Sequence, residues 1–152
     1  MGRMDQDFRD LLSAFLAEGA EFLVVGAHAL ALHGHIRATK DLDIWVHASE
    51  ENAPRVYRAL ASFGAPLSEV DPGEFAAPGL VLQIGVPPVR IDVITSIDGI
   101  SFPDAWSDRE RGFFFGLEVP ALSRRALLVN KTASGRPQDL ADIDWLNRHP
   151  KA

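Results

Sequence analysis

The most constraining feature of the sequence is a pair of aspartates, Asp41 and Asp43, in the otherwise apolar run DLDIWV at positions 41–46. Side chains of a β-strand point alternately to opposite faces, so both aspartates project from one face and the apolar residues 42, 44 and 46 project into a core. Adjacent like charges repel each other, and a divalent cation such as Mg²⁺, which prefers carboxylate oxygens, relieves that repulsion. The strand therefore predicts a metal site of the kind that often handles phosphates.

Two further features extend this prediction. Asp92 lies among apolar residues in a predicted strand, where a carboxylate is costly without a partner. If that strand lies beside the first, three carboxylates converge and can hold two Mg²⁺ ions, which suits in-line attack on a phosphate. Upstream, Gly26 ends a strand and opens a helix at Ala27, whose backbone N–H groups and positive dipole end favour an anion.

Composition and charge restrict the function classes. The 152 residues suffice for one domain with its own core, so a single domain over 1–152 is expected. No apolar run approaches the ~18 residues of a membrane span, no signal peptide is recognisable and cysteine is absent, which fits a cytoplasmic protein without disulfides or thiol chemistry. The formal charge of −6 argues against nonspecific binding to a polyanion. A nucleic-acid substrate would need a local basic patch, for which the candidates are Arg109, Arg111, Arg124, Arg125, Lys131 and Arg136.

Apolar periodicity and chain breakers indicate an alternation of helices and strands. Helices are predicted over residues 8–16, 27–33, 52–63, 123–134 and 139–147. Strands are predicted over 21–25, 41–47, 80–86, 89–97 and 113–119. The prolines at 87 and 88 predict a hairpin turn, 65–79 is predicted to be a loop, and 98–112 shows only a short helix around Trp106. This order predicts a mixed sheet with flanking helices.

These features together resemble the nucleotidyltransferase superfamily, which has the fold of DNA polymerase beta. The stretch VVGAHALALHGHIRATKDLDIWV at 24–46 resembles the small bacterial members, the minimal nucleotidyltransferases and the abortive-infection toxin nucleotidyltransferases. Their pattern is a Gly-Gly or Gly-Ser turn, a short helix, Asp-x-Asp and a later aspartate, which correspond here to Gly26, Asp41, Asp43 and Asp92. The ending NKTASGRPQDLADIDWL at 130–146 is similar to their C-terminal segment. The resemblance implies an α+β fold with a C-terminal helical pair.

The resemblance also implies a mechanism. Asp41 and Asp43 would hold a Mg²⁺ ion on the β- and γ-phosphates of a nucleoside triphosphate, and Asp92 would join them around a second ion. A nucleoside monophosphate would pass to a hydroxyl of a protein, an RNA or a small molecule. Arg37 and Lys131 are expected to contact phosphate oxygens. The alternatives are a salt bridge to Asp41 for Arg37, and an intrahelical ion pair or one with Asp139 for Lys131.

One position departs from the family pattern. Ala27 stands where the family has glycine or serine, so the nucleotide-binding turn of Gly26 and Ala27 offers a backbone N–H but no hydroxyl. This departure keeps open a non-enzymatic alternative, a nucleotidyltransferase-fold binding partner with weak or no turnover, for example in a toxin–antitoxin pair.

Other enzyme classes fit the motif less well. Glycosyltransferases that bind nucleotide sugars also use Asp-x-Asp with a metal, but their catalytic domains are usually longer and lack the glycine turn and short helix upstream. Phosphatases with Asp-x-Asp need the pair at the end of a strand, whereas here the strand continues through residue 46.

Several residues near the motifs are expected to be structural. A zinc site is not expected, because the three neighbouring histidines lack the i, i+4 spacing of a helical metal pair: His28, His33 and His35. Asp139 and Asp142 share a helical face, and a structural role is expected for them. Trp45 shares the face of the two aspartates and is expected at the rim of the site.

Overall fold

A computed structural model of the chain describes residues 3–37, 41–86 and 89–150. In these ranges the helices α1 to α6 are, in chain order, Arg3–Ala17, Gly26–Leu32, Ala53–Phe63, Phe102–Ser107, Arg124–Ser134 and Pro137–Arg148. The strands β1 to β6 are Phe22–Val25, Asp41–Val46, Val81–Val86, Val89–Ile94, Glu110–Phe114 and Leu117–Ala121. A single 3₁₀ turn, Pro72–Ala76, interrupts the loop predicted over 65–79. None of the helices described is both long and apolar enough to cross a membrane.

The strands form one mixed sheet in the order β3-β4-β2-β1-β6-β5. The central strand β2 pairs antiparallel with β1 and parallel with β4, and β3 and β4 form the predicted antiparallel hairpin. Strand β6 adds to the other side of β1 in parallel. The α+β class, the mixed sheet and the C-terminal helical pair α5–α6 are confirmed, although α6 begins at Pro137, two residues before its predicted start.

Helices cover both faces of this sheet. On the first face, α1, α3 and the 3₁₀ turn pack against alternate residues of the central strands, including Leu42, Ile44 and Val46 of β2, which are fully buried. On the second face, α2, α4, α5 and α6 enclose a smaller apolar cluster that includes Leu23 and Val25 of β1. The first face thus takes the apolar side of β2, and the side that carries its aspartates is left to the second face.

Asn52 joins β1 and β2 at the end of the sheet away from the aspartates. Its side-chain oxygen accepts from the backbone N–H of Glu21 at 2.7 Å, and its amide donates to the carbonyls of Glu21 and His47, each at 3.0 Å. The side chain is 1% exposed, so these contacts replace water almost completely. Asn52 therefore links the start of β1, which leads to Gly26, with the end of β2, which carries Asp43.

The predicted strand over 113–119 is wrong. The chain reverses there, and β5 and β6 form an antiparallel hairpin in which Phe114 pairs with Leu117 across a two-residue turn. Both turn residues have positive φ, 55° at Phe115 and 82° at Gly116, as the favoured hairpin turns require. Phe115 accepts this conformation because its ring packs on Phe8 at 5.2 Å and its carbonyl accepts from Arg9 at 3.0 Å, contacts that local sequence does not reveal.

Replacing Asn52 with alanine should destabilise the protein by about 2–3 kcal/mol, because the change removes the hydrogen-bond partners of the partly buried Glu21 backbone N–H and His47 carbonyl. Urea unfolding at neutral pH measures this loss, with the exposed neighbour in Glu51→Ala as the control, for which a change within about 0.5 kcal/mol is expected. Similar losses for the two variants would contradict the role of Asn52.

Candidate active site

The parallel register of β2 and β4 brings the predicted carboxylates together. Asp43 lies directly opposite Asp92, and Asp41 lies opposite Arg90. Because residues two apart on a strand share a face, all four side chains project from the same side of the sheet. The convergence expected if the two strands were neighbours is therefore present, and it includes a basic residue that the sequence analysis did not single out.

Gly26 fits closely against Asp43. Strand β1 pairs Val25 with Asp43, and the chain then turns into α2 at Gly26 with a positive φ of 68°. A Cβ atom at this position would lie 2.3 Å from Oδ2 of Asp43, far inside van der Waals contact. The glycine of the sequence motif is thus needed both for the backbone conformation and for the space that the Asp43 carboxylate occupies.

Arg90 is the cation of the carboxylate group. Its Nε lies 3.1 Å from Oδ1 of Asp92, and its Nη2 lies 3.7 Å from Oδ2 of Asp41. The short contact is a charge contact without hydrogen-bond alignment, because Nε of Arg90 and Oδ1 of Asp92 are both buried and both lack a hydrogen-bond partner. The guanidinium therefore compensates the negative charge only in part.

The negative charge that remains affects the pKa of Asp43. Burial, together with the charges of Asp92 and Asp41, raises the pKa of Asp43 to about 6, although the charge of Arg90 acts in the opposite direction. Asp43 therefore resists ionisation beside Asp41 and Asp92. An added cation would stabilise its charged form.

The donor set suits a hard divalent cation, since it consists of carboxylate oxygens and includes the unpartnered Oδ1 of Asp92. As the side chains stand, however, no group of three or more His, Cys, Asp or Glu residues in the described ranges is arranged to hold a metal ion. Arg90 contacts two of the three aspartates. The residues fit a cation in chemistry and position, but their side chains would have to rearrange around it.

A polar cleft of about 330 Å³ opens beside the carboxylates. One end is formed by Gly26 and Asp43, and the other by the C-terminal helices with Asn130, Ser134 and Arg136. The Arg136 side chain is 74% exposed, although its guanidinium also contacts Asp139 at 2.8 Å. The cleft thus joins the carboxylates to a basic and a hydroxyl-bearing side chain that the resemblance did not indicate for this role.

The loop after β4 closes one side of this cleft. The Asp98 carbonyl accepts from Asn130 at 2.9 Å, and its carboxylate accepts from the Ser134 hydroxyl at 3.1 Å. At Gly99 a Cβ atom would lie 2.5 Å from the side chain of Ala133, so the loop approaches α5 as closely as a glycine allows. The polar residues of α5 are therefore held towards the cleft.

The two basic residues predicted to contact phosphate are paired with buried carboxylates. Lys131 is 7% exposed and lies 2.8 Å from Asp142 and 3.3 Å from Asp139, which matches its ion-pair alternative. Arg37 lies 2.6 Å from Asp142. These hydrogen bonds outweigh the effect of burial and lower the pKa of Asp142, so it stays charged. A phosphate contact of Arg37 or Lys131 would require release from this network, which matches the structural role expected for Asp139 and Asp142.

Trp45 does not lie at the rim of the site. It shares the face of the aspartates but is only 2% exposed, because α4 covers it and the ring of Phe102 meets it edge-on at 5.0 Å. Periodicity located α4 only approximately, so the sequence contained no clear signal that this tryptophan would be covered.

The three histidines near the motif lie in different surroundings. His28 packs among phenylalanine rings, including that of Phe115 at 5.5 Å, and burial lowers its pKa. His33 contacts the carbonyl of Leu122 at 2.9 Å, and His35 stacks on Trp145 at 4.4 Å. The structure thus gives each histidine a separate packing role and does not bring them together.

A larger hollow of about 440 Å³ lies on the first face of the sheet, between α1, α3 and the β3–β4 hairpin. Its described lining includes Asp7 and Asp10 but no basic side chain. A triphosphate would be repelled there, so size alone does not identify the functional site.

A family model described as "nucleotidyltransferase of unknown function (DUF6036)" matches residues 2–146. This match covers nearly the whole chain. The chain belongs to this nucleotidyltransferase family. No curated protein matches the sequence significantly.

Solved structures agree with the nucleotidyltransferase fold. TM1012 of Thermotoga maritima, assigned as a nucleotidyltransferase, aligns with a TM-score of 0.59 and 17% identity over 94% of this chain and 92% of its own. The lincosamide antibiotic adenylyltransferase LnuA, in a lincomycin-bound structure, aligns with a TM-score of 0.59 and 14% identity over 93% of this chain and 95% of its own. At these identities the two matches support the fold and leave the substrates of this family member to be established.

The close fit of Gly26 predicts an unequal effect of two alanine substitutions. Gly19 has a similar φ of 66° but open space around it, whereas a Cβ atom at Gly26 would collide with Asp43. Gly19→Ala should therefore cost about 1–2 kcal/mol for the backbone conformation alone, and Gly26→Ala should cost more.

Urea unfolding of both variants, in the wild-type background and in an Asp43→Ala background, separates these effects. Removing the Asp43 carboxylate should bring the cost of Gly26→Ala close to that of Gly19→Ala. Equal costs in the wild-type background would mean that the Asp43 carboxylate moves aside freely.

The raised pKa of Asp43 predicts a pH-dependent effect of Asp43→Asn in metal-free buffer. Since the pKa rises from 3.8 to about 6 on folding, the fold favours the protonated carboxyl, and stability is lost as the pH rises through about 6. At pH 7.5 Asp43→Asn should therefore be about 2 kcal/mol more stable than the wild type, a value reduced for partial solvent screening, and the difference should vanish towards pH 4.

Urea unfolding with EDTA between pH 4 and pH 8 measures this difference. The exposed Asp144→Asn provides the control, for which the difference from the wild type should stay small throughout. A stability difference for Asp43→Asn that does not change with pH would contradict the burial of a strained charge at this position.

Proposed function

We propose that the chain is a Mg²⁺-dependent nucleotidyltransferase that moves a nucleoside monophosphate from a nucleoside triphosphate to an acceptor hydroxyl. The observation that carries the proposal is the register that sets Asp43 opposite Asp92, with Asp41 on the same face and a polar cleft beside them. Family membership supports the reaction class. The metal, the site residues and the acceptor are the parts that this proposal adds.

Asp41, Asp43 and Asp92 would hold two Mg²⁺ ions, which when bound would neutralise the triphosphate and lower the pKa of the acceptor hydroxyl. Asp92 would also receive the hydroxyl proton. A bond would form between the acceptor oxygen and the α-phosphorus, and the bond from the α-phosphorus to the bridging oxygen would break. Pyrophosphate would leave with the electron pair of that bond.

The cleft would hold the triphosphate by charge and by hydrogen bonds. The exposed guanidinium of Arg136 would bind phosphate oxygens, and Asn130 and Ser134 offer further polar groups on the same wall. Gly26 and Ala27 would contribute backbone N–H groups from the opposite wall. Arg136 is a better candidate for the first phosphate contact than Arg37 or Lys131, because it lines the cleft and its side chain is 74% exposed, against 32% for Arg37 and 8% for Lys131.

The acceptor class is open to direct test. LnuA is a lincosamide adenylyltransferase of similar fold, so hydroxyl-bearing antibiotics such as lincomycin belong among the candidate acceptors, beside RNA and protein. If nucleotide binds without transfer to any of them, the binding-partner alternative, such as a toxin–antitoxin partner, would be favoured.

The proposal predicts Mg²⁺-dependent transfer of label from an α-³²P-labelled nucleoside triphosphate. The four triphosphates would be tested singly against total RNA, a soluble protein extract and a panel of hydroxyl-bearing antibiotics. Asp43→Asn and Asp92→Asn should each lower the rate by about 100-fold or more, the scale of losing a group that stabilises transition-state charge. Asp144→Asn, an exposed change on α6, should retain the wild-type rate.

Two outcomes would overturn the proposal. Equal labelling by the wild type, Asp43→Asn and Asp92→Asn would remove the carboxylates from the reaction. Calorimetric titration with each triphosphate that shows no Mg²⁺-dependent binding would remove the nucleotide from the cleft.

A further inference from the structure

Arg90 occupies a position that an ordinary surface arginine would not. It lies opposite Asp41 in the β2–β4 register and two residues before Asp92 on the same strand. Its guanidinium contacts both carboxylates, at 3.7 Å to Asp41 and 3.1 Å to Asp92. A positive charge is therefore already present between two of the three aspartates that the proposed reaction assigns to Mg²⁺.

The contact is not optimised as a permanent ion pair. A stable buried arginine–carboxylate pair usually donates two parallel hydrogen bonds. Here the buried Nε of Arg90 and Oδ1 of Asp92 face each other without hydrogen-bond alignment. A pair of this kind supplies charge and leaves hydrogen-bonding capacity unused on both partners, so its loss costs less than the loss of an aligned pair.

The guanidinium and a metal ion also compete for the same oxygens. Carboxylate ligands bind Mg²⁺ at about 2.1 Å, and a guanidinium needs contacts of about 2.8 Å to the same groups. In the described ranges no set of three acidic or imidazole side chains is arranged around a metal position. A metal ion that binds Oδ2 of Asp41 and Oδ1 of Asp92 therefore requires Arg90 to move.

We propose that Arg90 is a positioning residue that competes with Mg²⁺ for Asp41 and Asp92. Without metal, Arg90 holds the two carboxylates together, and it keeps their affinity for Mg²⁺ alone low. This inference rests on the proposed function for the identity of the ion. A nucleoside triphosphate would reverse the competition, because its phosphates add oxygen ligands for Mg²⁺ and attract the displaced guanidinium. Metal and nucleotide would consequently bind together more tightly than separately.

The test is Mg²⁺ binding to the metal-free full chain, without nucleotide, by calorimetric titration, with Mn²⁺ as a second probe. Arg90→Met removes the charge and keeps a side chain of similar length, and it should bind Mg²⁺ about tenfold more tightly than the wild type. Arg90→Lys keeps the charge and should stay within about threefold of the wild type. The control is Arg111→Met, on an arginine 82% exposed and 3.8 Å from Glu118, which should leave the affinity unchanged.

Thermal unfolding provides a second readout for the same variants. Without metal, Arg90→Met should melt below the wild type, because the carboxylates lose their cation. Saturating Mg²⁺ should raise its melting temperature by more than that of the wild type. If Arg90→Met fails to fold without metal, recovery of its folded circular-dichroism signal on addition of Mg²⁺ would show that the ion stabilises this variant. The comparison of Mg²⁺ affinities would then be made between Arg90→Lys and the wild type.

The outcomes separate this inference from the proposed function. Equal or weaker Mg²⁺ binding by Arg90→Met would overturn the inference, even if the wild type transfers nucleotide. Tighter binding by Arg90→Met would support the inference, even if no variant transfers nucleotide. Absence of Mg²⁺ and Mn²⁺ binding in the wild type and in Arg90→Met alike would overturn the competition directly.

Discussion

The parallel pairing of β2 with β4 is the constraint on which the candidate site depends. Its register sets Asp43 opposite Asp92, and the alternation of side chains places both on the second face of the sheet, opposite the core that α1 and α3 cover. A slip of one residue would turn Asp92 towards the apolar core and bring Ile91 or Val93 to the site. The buried residues Leu42, Ile44 and Val93 on the opposite face oppose such a slip, so the packing of the core also fixes the geometry of the carboxylates.

This arrangement stores charge repulsion in the middle of the sheet. Gly26 makes room for the Asp43 carboxylate, burial raises the pKa of Asp43, and Arg90 offsets only part of the negative charge. A fold selected for stability alone would replace such a group with apolar residues or pair it completely. Three carboxylates beside a single, poorly aligned arginine fit a site in which a cation from solution neutralises the remaining negative charge.

Much of the fold was predictable because it depends on local pattern. The alternation of aspartates with apolar residues on β2, the glycine at the start of α2 and the prolines between β3 and β4 each act within a few residues of sequence. The predicted strand at 113–119 failed because Phe115 adopts a positive φ that only its distant contacts with Phe8 and Arg9 make acceptable. Trp45 was misplaced for a similar reason, since the helix that covers it is remote in sequence.

The basic residues show the same limit within the site. Position near a motif suggested Arg37 and Lys131 as phosphate ligands, but a buried carboxylate needs cationic partners, and Asp142 has both of them as neighbours together with Gln138. Their pairing ties Arg37 and Lys131 to Asp142 of α6, whereas Arg136 contacts Asp139 but remains 74% exposed in the cleft. The three-dimensional packing decides which of these paired cations is buried and which is exposed to a substrate, and sequence spacing does not contain that information.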